Sequence, residues 1–360
     1  MKALVITRLT GPDALAIQDA PEPTPRPGET LVRVTVGGLN FADLMTTRAG
    51  YPGTPPAPFI VGREFAGVEI SSGRRVMGYA QFSAFAEKIA AHPHMIWSTP
   101  DHWTDEQAAA FPVNFFTAYL LYWQSGMTPQ PAPPMWGRVS DPAGRSAAPQ
   151  PDSVAPPLSR SVRQGGTPPR VLIHAVAGGV GTAAVQIGRI LGIEMYGTSS
   201  SDEKLARVKP LGLQHPINYK QHDYEEVVKN LTHGEGVDSV FEMLGGEHTA
   251  KSTRCLRTFG RVIQYGTATG KPPQLDLRAM YAKSASVQGL WLSYLSRSPE
   301  IMSPAWEQLS AWISGKTTSE PAGKTIAPEI GHVFPLDRAA EAYNLLAEGK
   351  NYGKVVLKIA

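Results

Sequence analysis

The sequence predicts an α/β protein in which a mainly β domain is followed by a doubly wound domain with a six-stranded parallel sheet. Two observations predict this class. Residues 1 to about 100 contain short β-branched runs, such as Leu31–Val36 and Arg75–Tyr79, which are separated by Gly and Pro clusters. From Arg170 onward, short apolar runs alternate with amphipathic stretches, which is the pattern of parallel βαβ units.

The parallel sheet is predicted from six apolar runs in the second half of the chain. These strands are Arg170–Ala175, Ile193–Thr198, His215–Asn218, Val237–Glu242, Arg261–Tyr265 and Ser286–Gly289. Six parallel strands are enough for a full doubly wound sheet. Beyond them the pattern predicts a helix around Ala305–Ser314, a strand at Ile330–Phe334, a helix over Leu336–Glu348 and a closing strand at Gly353–Ile359. We expect this tail to return to the first domain.

Composition and charge exclude several classes of protein. With 360 residues, of which 42% are hydrophobic and 18% charged, the chain is long enough for two domains. The net charge of +3 is spread without a dense Lys/Arg block, so no nucleic-acid partner is expected. The single cysteine, Cys255, excludes an intramolecular disulfide and a four-thiolate zinc site, which favours a cytoplasmic location.

No targeting or membrane-spanning segment is predicted. The apolar run within residues 1–7 is too short for the core of a signal peptide and is interpreted as a first strand. The most apolar longer stretch, residues 108–123, is interrupted by Pro112 and Asn114 and is shorter than a spanning helix.

Residues 127–169 differ in composition from the rest of the chain. They hold eleven prolines and many Ser, Ala and Gly, with few large aliphatic residues and no regular period. We interpret this segment as an insertion that is disordered or forms a loose surface loop. The alternative is a proline-rich docking segment, although no repeated PxxP register is present.

A glycine-rich turn follows the first strand of the parallel sheet. Its sequence is Val176-Ala177-Gly178-Gly179-Val180-Gly181, and a helical run over Thr182–Leu191 comes next. Glycines let such a turn tighten and bring backbone N–H groups against a diphosphate at the helix N-terminus. Glycine also serves purely structural turns. The strand before, the small-residue helix after and a second strand that ends about 20 residues later together predict dinucleotide binding.

The end of the second strand indicates which nucleotide binds. NAD enzymes place an Asp or Glu there for the ribose hydroxyls, but this chain has Ser199 and Ser200. Small hydroxyl residues leave room for a 2′-phosphate, Lys204 can supply positive charge, and Tyr219 can close the pocket. The sequence therefore predicts NADPH. In the alternative interpretation, the serines only cap the next helix and Lys204 is solvated.

Four motifs together resemble those of the zinc-independent medium-chain dehydrogenases/reductases. They are the first strand, Gly38–Met45, Pro112–Tyr119 and Ala177–Gly181. Within this family the sequence is most similar to zeta-crystallin-type quinone oxidoreductases and to the vesicle amine transport protein branch. The resemblance implies a GroES-like domain over residues 1–124, completed by 296–360, and a Rossmann domain over 125–295. It also implies an active site in the cleft between the two domains.

The resemblance also implies roles for individual residues. Asn40, Asp43 and Tyr51 would line the substrate side of the cleft, with Asn114 and Thr117 near the nicotinamide ribose. The loops after later strands would hold the nicotinamide through Leu244, Gly245, Tyr265, Gly266, Gly289, Leu290 and Trp291. Asn, Asp and Gly also serve as plain turn and cap residues, so each role has a structural alternative.

The zinc branch of the family has a Cys near the position of Leu39 and a His beside Glu64. This chain has neither residue. Its single cysteine is Cys255, and Arg63 stands in place of the His, so no metal is expected. Without a Lewis acid, the favoured acceptor is a conjugated carbonyl, over which the new negative charge spreads. Asn40 or Tyr51 could then donate the hydrogen bond. The stretch from Glu64 to Val76 is also shorter than in the family, which predicts a trimmed hairpin.

The predicted function is therefore zinc-independent, NADPH-dependent hydride transfer to a quinone or a similar conjugated carbonyl. One alternative is reduction of 2-alkenals or enoyl thioesters in the same cleft. An alternative of another class is an NADPH-binding partner protein with little catalysis. Family analogy and the frequency of twofold assemblies predict a homodimer.

Overall fold

The computed structural model describes residues 1–128, 166–315 and 325–359. Most of the predicted proline-rich insertion, residues 129–165, lies outside the described residues. The described chain forms a six-stranded parallel sheet, a seven-stranded sheet and a three-stranded sheet. The predicted fold class is confirmed.

The N-terminal part contains eight strands and three helices. They are β1 (Lys2–Ile6), β2 (Leu15–Asp19), β3 (Thr30–Leu39), α1 (Phe41–Thr46), β4 (Phe59–Ile60), β5 (Glu64–Glu69), β6 (Arg75–Tyr79), β7 (Lys88–Ala91), β8 (Ile96–Ser98), α2 (Asp105–Ala109) and α3 (Pro112–Gln124). The long strand β3 is central, because it pairs antiparallel with β5 and β7. Strands β5 and β6 form a tight hairpin, with Glu64 opposite Tyr79.

Close packing at the end of β3 requires glycine. A Cβ atom on Gly38 would lie 2.2 Å from the carbonyl oxygen of Ala109 and 2.7 Å from Cγ of Glu64. The backbone of β3 therefore approaches α2 and the Glu64 side chain more closely than any other residue type would allow. This close approach places Glu64 directly beneath the start of α1.

The Rossmann part alternates strands and helices. They are β9 (Arg170–Ile173), α4 (Gly179–Ile190), β10 (Glu194–Ser199), α5 (Asp202–Val208), β11 (His215–Asn218), α6 (Tyr224–Leu231), β12 (Val237–Glu242), α7 (Glu247–Cys255), β13 (Leu256–Gln264), α8 (Leu277–Ala282), β14 (Ser286–Gly289) and α9 (Leu292–Leu295). The strand order is β11-β10-β9-β12-β13-β14, and all neighbours are parallel. This order reverses between β9 and β12, which is where such sheets bind nucleotides.

The predicted bounds of β11, β12 and β14 agree with the structure, β10 lies one residue later than predicted, and β9 and β13 differ by more. Strand β9 ends at Ile173, two residues earlier than predicted, because the chain turns from His174 onward and Ala175 has a φ of 50°. Strand β13 begins at Leu256, five residues earlier than predicted. Leu256 already pairs with Val237 of β12, and a register shift separates this pair from the regular pairing that starts at Arg261.

The C-terminal part adds α10 (Pro299–Ile313), β15 (Ile330–Pro335), α11 (Ala339–Ala347) and β16 (Lys354–Lys358). Strand β16 pairs antiparallel with β3 and parallel with β15, so the end of the chain completes the seven-stranded sheet. Helix α10 starts six residues before the predicted helix. The prediction stopped at Pro304, which lies inside the helix as its sixth residue, while Pro299 occupies the first position, where proline is favoured.

A shared apolar core joins the two sheets. It runs from α3 through β9 and α4 to α10, and Trp312 of α10 packs 6.0 Å from Tyr119 of α3, measured between ring centroids. In the described ranges, none of the helices combines the length and the apolar character that a membrane span requires.

Candidate active site

A cleft of about 570 Å³ lies between the two large sheets. On one side are the carboxyl ends of β9, β10, β12 and β13, and on the other are α1, the start of α3 and the start of β16. Most sequence-predicted site residues lie on its wall: Asn40, Tyr51, Asn114, Thr117, Ala177, Gly178, Gly179, Val180, Gly181, Ser199, Ser200, Lys204, Tyr219, Leu244, Tyr265, Gly266, Leu290 and Trp291. Asp43, Gly245 and Gly289 are not on the wall.

The glycine turn after β9 forms the floor of the cleft. A Cβ atom on Gly179 would lie 2.5 Å from Nδ2 of Asn114, and one on Gly181 would lie 2.5 Å from the carbonyl oxygen of Val176. The backbone N–H of Gly353 donates to the carbonyl oxygen of Ala177 at 2.8 Å, which joins the C-terminal segment to the turn. Helix α4 starts at Gly179 on the cleft wall, so its unpaired N–H groups and its dipole would favour an anion bound there.

One end of the cleft is basic and rich in hydroxyl groups. Ser199, Ser200, Lys204, Tyr219 and Lys220 lie on its wall. Nζ of Lys204 donates to the carbonyl oxygen of Gly349 at 2.5 Å. Burial and the nearby charge of Lys220 lower the pKa of Lys204, which indicates two cations close together. A dianionic phosphate would neutralise this pair.

The carboxylate that follows this serine run is turned away from the cleft. Asp202 accepts hydrogen bonds from Nδ2 of Asn218 at 3.0 Å and from Nε2 of Gln221 at 2.8 Å. Helix α5 is capped by Ser201, whose hydroxyl accepts from the N–H of Lys204 at 3.4 Å. Ser199 and Ser200 are therefore not needed to cap this helix, and both lie on the cleft wall.

The middle of the cleft is shaped by loops after β12 and β13. Glu242, which is buried, accepts hydrogen bonds from the N–H of Leu244 at 2.6 Å and of Gly245 at 3.2 Å. Gly245 has a φ of 78°, so it turns this loop rather than lining the cleft. Gly289 ends β14 opposite Gln264 of β13, so it belongs to the sheet. Burial raises the pKa of Tyr265 well above its ordinary value.

Behind this loop lies a buried polar chain. Oε2 of Glu242 accepts from the hydroxyl of Ser252 at 2.6 Å, and this hydroxyl lies 3.0 Å from Nε2 of His174. Nδ1 of His174 lies 2.9 Å from the hydroxyl of Thr198. Burial lowers the pKa of His174, so the ring is neutral. The chain holds the ends of β9, β10 and β12 at fixed separations.

The substrate side of the cleft carries a cluster of hydroxyl groups. Nε1 of Trp291 donates to the Tyr51 hydroxyl at 2.8 Å. Oγ of Ser293 lies 3.3 Å from the Tyr51 hydroxyl and 2.7 Å from that of Tyr79. Burial raises the pKa of Tyr79 to about 12, so this phenol stays protonated. These contacts join the N-terminal part to the Rossmann part across the cleft.

Arg63 lies beneath this cluster. Its guanidinium carbon is 4.3 Å from the centroid of the Tyr51 ring and 4.9 Å from that of Phe82. Nη1 donates to Oδ1 of Asp43 and Nη2 donates to the hydroxyl of Thr46, both at 3.0 Å. Arg63 and Asp43 are both buried, and only Arg63 lies on the cleft wall.

Asp43 therefore supports the site from behind the wall. Its second carboxylate oxygen accepts from the N–H of Asn40 at 2.9 Å, which stabilises the start of α1. The structure does not place Asp43 where a substrate would touch it.

Asn40 is held by a second buried ion pair. Nζ of Lys354 donates to Oδ1 of Asn40 at 2.6 Å and also to Oε1 of Glu64. Nδ2 of Asn40 donates to the same glutamate oxygen at 2.8 Å and to the carbonyl oxygen of Gly38 at 3.2 Å. Oε2 of Glu64 accepts from the N–H of Val113 at 2.7 Å. Both amide hydrogens of Asn40 are thus engaged within the protein.

Several wall residues were missed by the sequence interpretation. The sequence analysis identified Arg63 only as the residue that replaces a zinc-binding His. It did not identify four further wall residues as part of the site: Tyr79, Lys220, Ser293 and Lys354. Lys220 follows Tyr219 directly and could have been found from that neighbour. The others depend on contacts between distant parts of the chain.

In the described part of the chain, no group of three or more His, Cys, Asp or Glu side chains is arranged to hold a metal ion.

Two family models match the chain. "Alcohol dehydrogenase GroES-like domain" matches residues 26–101, and "zinc-binding dehydrogenase" matches residues 179–314.

Similar proteins come from several branches. The chain is 31% identical over 387 aligned positions to the human synaptic vesicle membrane protein VAT-1 homolog, covering 99% of this chain and 86% of that protein. The quinone oxidoreductase of Thermus thermophilus, solved alone and with NADPH, is 30% identical with a TM-score of 0.79, covering 99% and 100% of the two chains. The CurK enoyl reductase is 25% identical with a TM-score of 0.75, covering 99% and 98%.

Proposed function

The chain belongs to the zinc-independent, quinone oxidoreductase-like branch of the medium-chain dehydrogenase/reductase family, near the VAT-1 proteins, and we propose that it transfers hydride from NADPH to a quinone or a similar conjugated carbonyl. The observation that carries this proposal is the cleft itself. It joins a glycine-floored, basic nucleotide groove to a hydroxyl-rich pocket around Tyr51. The T. thermophilus quinone oxidoreductase, which is similar along almost its full length, was solved with NADPH.

The residues of the cleft fit NADPH along its length. The glycine turn and the start of α4 would hold the diphosphate, since side chains there would fill the space. Ser199, Ser200, Lys204 and Lys220 would hold the 2′-phosphate. Asn114 and Thr117, with the loops after β12 and β13, would hold the nicotinamide and its ribose. When bound, the nucleotide supplies the hydride.

The protein must then stabilise negative charge on the acceptor oxygen. Both amide hydrogens of Asn40 are already engaged, so Tyr51 is the better donor of the two predicted residues. Its oxygen accepts from Trp291, and its own hydrogen is available to an acceptor oxygen when Ser293, 3.3 Å away, is the donor in their shared contact. A conjugated acceptor spreads its charge over the π-system, so a single well-placed donor is sufficient.

Stopped-flow fluorescence and steady-state kinetics test this proposal. We expect quenching or energy transfer on binding of NADPH, and oxidation of NADPH in the presence of 1,4-benzoquinone. Tyr51→Phe should lower kcat by about 10²-fold, the loss typical of removing one oxyanion donor, and leave the Kd for NADPH unchanged. Absence of any nucleotide binding would overturn the proposal.

An enal or enoyl thioester is the second candidate acceptor. The similarity to the CurK enoyl reductase supports it, because the whole chain aligns and the same cleft would be used. A comparison of kcat/KM for 1,4-benzoquinone, trans-2-hexenal and a crotonyl thioester separates the two acceptors. Tight NADPH binding without turnover of any of the three would instead support the third candidate, a nucleotide-binding partner protein.

We further propose a homodimer that forms through the edge strand β14. This strand has no neighbour on its outer side among the described residues, and the adjacent α8 exposes Leu277 and Tyr281. An exposed strand edge beside apolar side chains is a typical pairing surface. Light scattering should give a molar mass of twice 38.8 kDa for the wild type. The double variant Leu277→Lys, Tyr281→Lys should have the mass of the monomer.

The cytoplasmic location stays a prediction.

A further inference from the structure

Arg63 is a buried cation in the wall of the cleft, and the proposed hydride transfer gives it no role yet. Its exposed fraction is 1%, and a buried charge needs strong compensation. Asp43 and Thr46 each accept one of its hydrogen bonds. In the described structure, its Nε has no hydrogen-bond partner. The protein therefore keeps a fixed positive charge at this point although its hydrogen bonding is incomplete.

The side chain is held flat by aromatic rings. The ring centroids of Tyr51 and Phe82 lie 4.3 and 4.9 Å from the guanidinium carbon. The two terminal nitrogens are held by hydrogen bonds to Asp43 and Thr46. Aromatic faces attract a cation through their quadrupole, and an aromatic ring that gains negative charge is attracted more strongly. Tyr51 is the ring that carries the proposed proton donor.

We propose that Arg63 is the positioning residue of an oxyanion site, where it stabilises the negative charge that passes to the Tyr51 oxygen. In the step, hydride adds to the conjugated system of the acceptor and its π electrons move to the oxygen. The acceptor oxygen takes the proton of Tyr51, so the Tyr51 O–H bond breaks and the acceptor O–H bond forms. Water then returns a proton to the phenolate, so the sum is NADPH, one proton and the acceptor giving NADP⁺ and the reduced acceptor. Arg63 acts through Tyr51 and does not touch the acceptor.

This inference rests on the proposed function, but it can be tested without turnover. The probe is 4-nitrophenolate, an oxyanion of the right kind, compared with the neutral 4-nitroanisole, both in the presence of NADP⁺. Binding is followed by the absorbance of the phenolate and by competition. The wild type should bind the phenolate more tightly than the neutral ether.

The variants separate charge from packing. Removing Arg63 alone would leave Asp43 buried without a cation, so the main variant combines Arg63→Gln with Asp43→Asn, which keeps hydrogen-bonding groups but removes both charges. It should weaken 4-nitrophenolate binding about tenfold, as expected for loss of a desolvated cation–π contact, and leave 4-nitroanisole unaffected. The single variant Arg63→Lys keeps the positive charge, so its loss of 4-nitrophenolate affinity should be smaller than that of the paired variant. Arg75→Met, which removes an arginine paired with Asp105 outside the cleft, is the matched control.

Coupling between the two residues decides the proposal. In a Tyr51→Phe background, the paired change at positions 63 and 43 should have no further effect on phenolate binding. If the paired change weakens phenolate binding by the same factor with and without Tyr51, the two sites act independently and the inference is overturned. An equal loss of affinity for phenolate and ether would show a merely structural role and overturn it too. Failure of the wild type to prefer the phenolate would overturn it as well. Failure of the wild type to oxidise NADPH with any acceptor would overturn the proposed function instead.

Discussion

Lys354, at the start of the last strand, donates a hydrogen bond of 2.6 Å to the side chain of Asn40, which is 314 residues earlier in the sequence. The same ammonium is paired with Glu64, and all three side chains are buried. This contact ties the C-terminal segment to the substrate side of the cleft. It also orients the Asn40 amide, whose oxygen accepts from the lysine while its nitrogen donates to Glu64.

The first prediction concerns this ion pair. Lys354→Met leaves Glu64 buried without a cation, so we expect the free energy of unfolding to fall by about 3–5 kcal/mol. Urea denaturation measures the loss. Adding Glu64→Gln removes the orphaned charge and should recover part of the stability. If Lys354→Met alone is as stable as the wild type, the ion pair is not formed in solution.

A second prediction tests the packing of the glycine turn. Gly179→Ala places a Cβ atom 2.5 Å from the amide of Asn114, so either this side chain or the start of α4 must move. We expect the Kd for NADPH to rise by the equivalent of about 1–3 kcal/mol, the usual penalty of overpacking. Fluorescence titration measures it.

Two further variants complete this test. Asn114→Ala in the Gly179→Ala background makes room for the methyl group but also removes a proposed ribose contact, so the two changes together should raise the Kd by less than the product of their separate effects. Gly289→Ala is the control, because a Cβ atom there meets open space. Equal losses of affinity in Gly179→Ala and Gly289→Ala would contradict the close approach at the turn.

The sequence brought together the residues that line one half of the cleft because their signals are local, and their roles in nucleotide binding stay predictions. The turn from Val176 to Gly181 follows its strand directly, and Ser199, Ser200 and Lys204 lie within one strand end and one helical turn. The physical demands of binding a diphosphate at a helix N-terminus are met by consecutive residues, so they can be recognised without the fold.

The substrate half was predicted less completely, because its chemistry arises from contacts between distant residues. Asn40 was expected to donate to the acceptor, but Glu64 and Gly38 occupy both of its amide hydrogens. Asp43 was expected on the wall and lies behind it, paired with Arg63. The interdomain hydrogen bond from Trp291 to Tyr51 could not be derived from either segment alone.

A third prediction concerns pH and the buried His174. Burial lowers its pKa in the folded protein below the ordinary value of 6.5. Protons therefore bind the unfolded chain more tightly, and the resulting stability is present above pH 6.5 and is lost as the pH falls below it. The loss attributable to this histidine has a limiting slope of about 1.4 kcal/mol per pH unit.

Urea denaturation at pH 7.5, 6.5 and 5.5 checks this. The difference in unfolding free energy between the wild type and His174→Gln should shrink as the pH falls, because the variant lacks the titrating ring. Thr249→Val, at a buried position without a titrating group, is the control and should show a difference that is constant with pH, because His174 is present in both proteins. A constant difference for His174→Gln would mean that its ring takes up a proton as readily in the folded protein as in the unfolded chain, which would contradict the prediction.

The last prediction tests the choice of nucleotide. Lys204 and Lys220 form the basic end of the cleft, and the carboxylate of Asp202 is bound to Asn218 and Gln221 instead of facing the ribose. Lys204→Glu should raise the KM for NADPH at least tenfold, since charge-assisted hydrogen bonds to a phosphate contribute about 1.5–3 kcal/mol.

The KM for NADH should change little in Lys204→Glu, because that nucleotide has no 2′-phosphate to lose a contact. Lys209→Glu carries the same charge change at an exposed position outside the cleft, so it controls for the general effect of charge on anion binding. Steady-state kinetics with both nucleotides and one acceptor gives all four ratios. A loss of equal size with NADPH and NADH would place Lys204 on the shared diphosphate and remove the physical basis for a preference between the two.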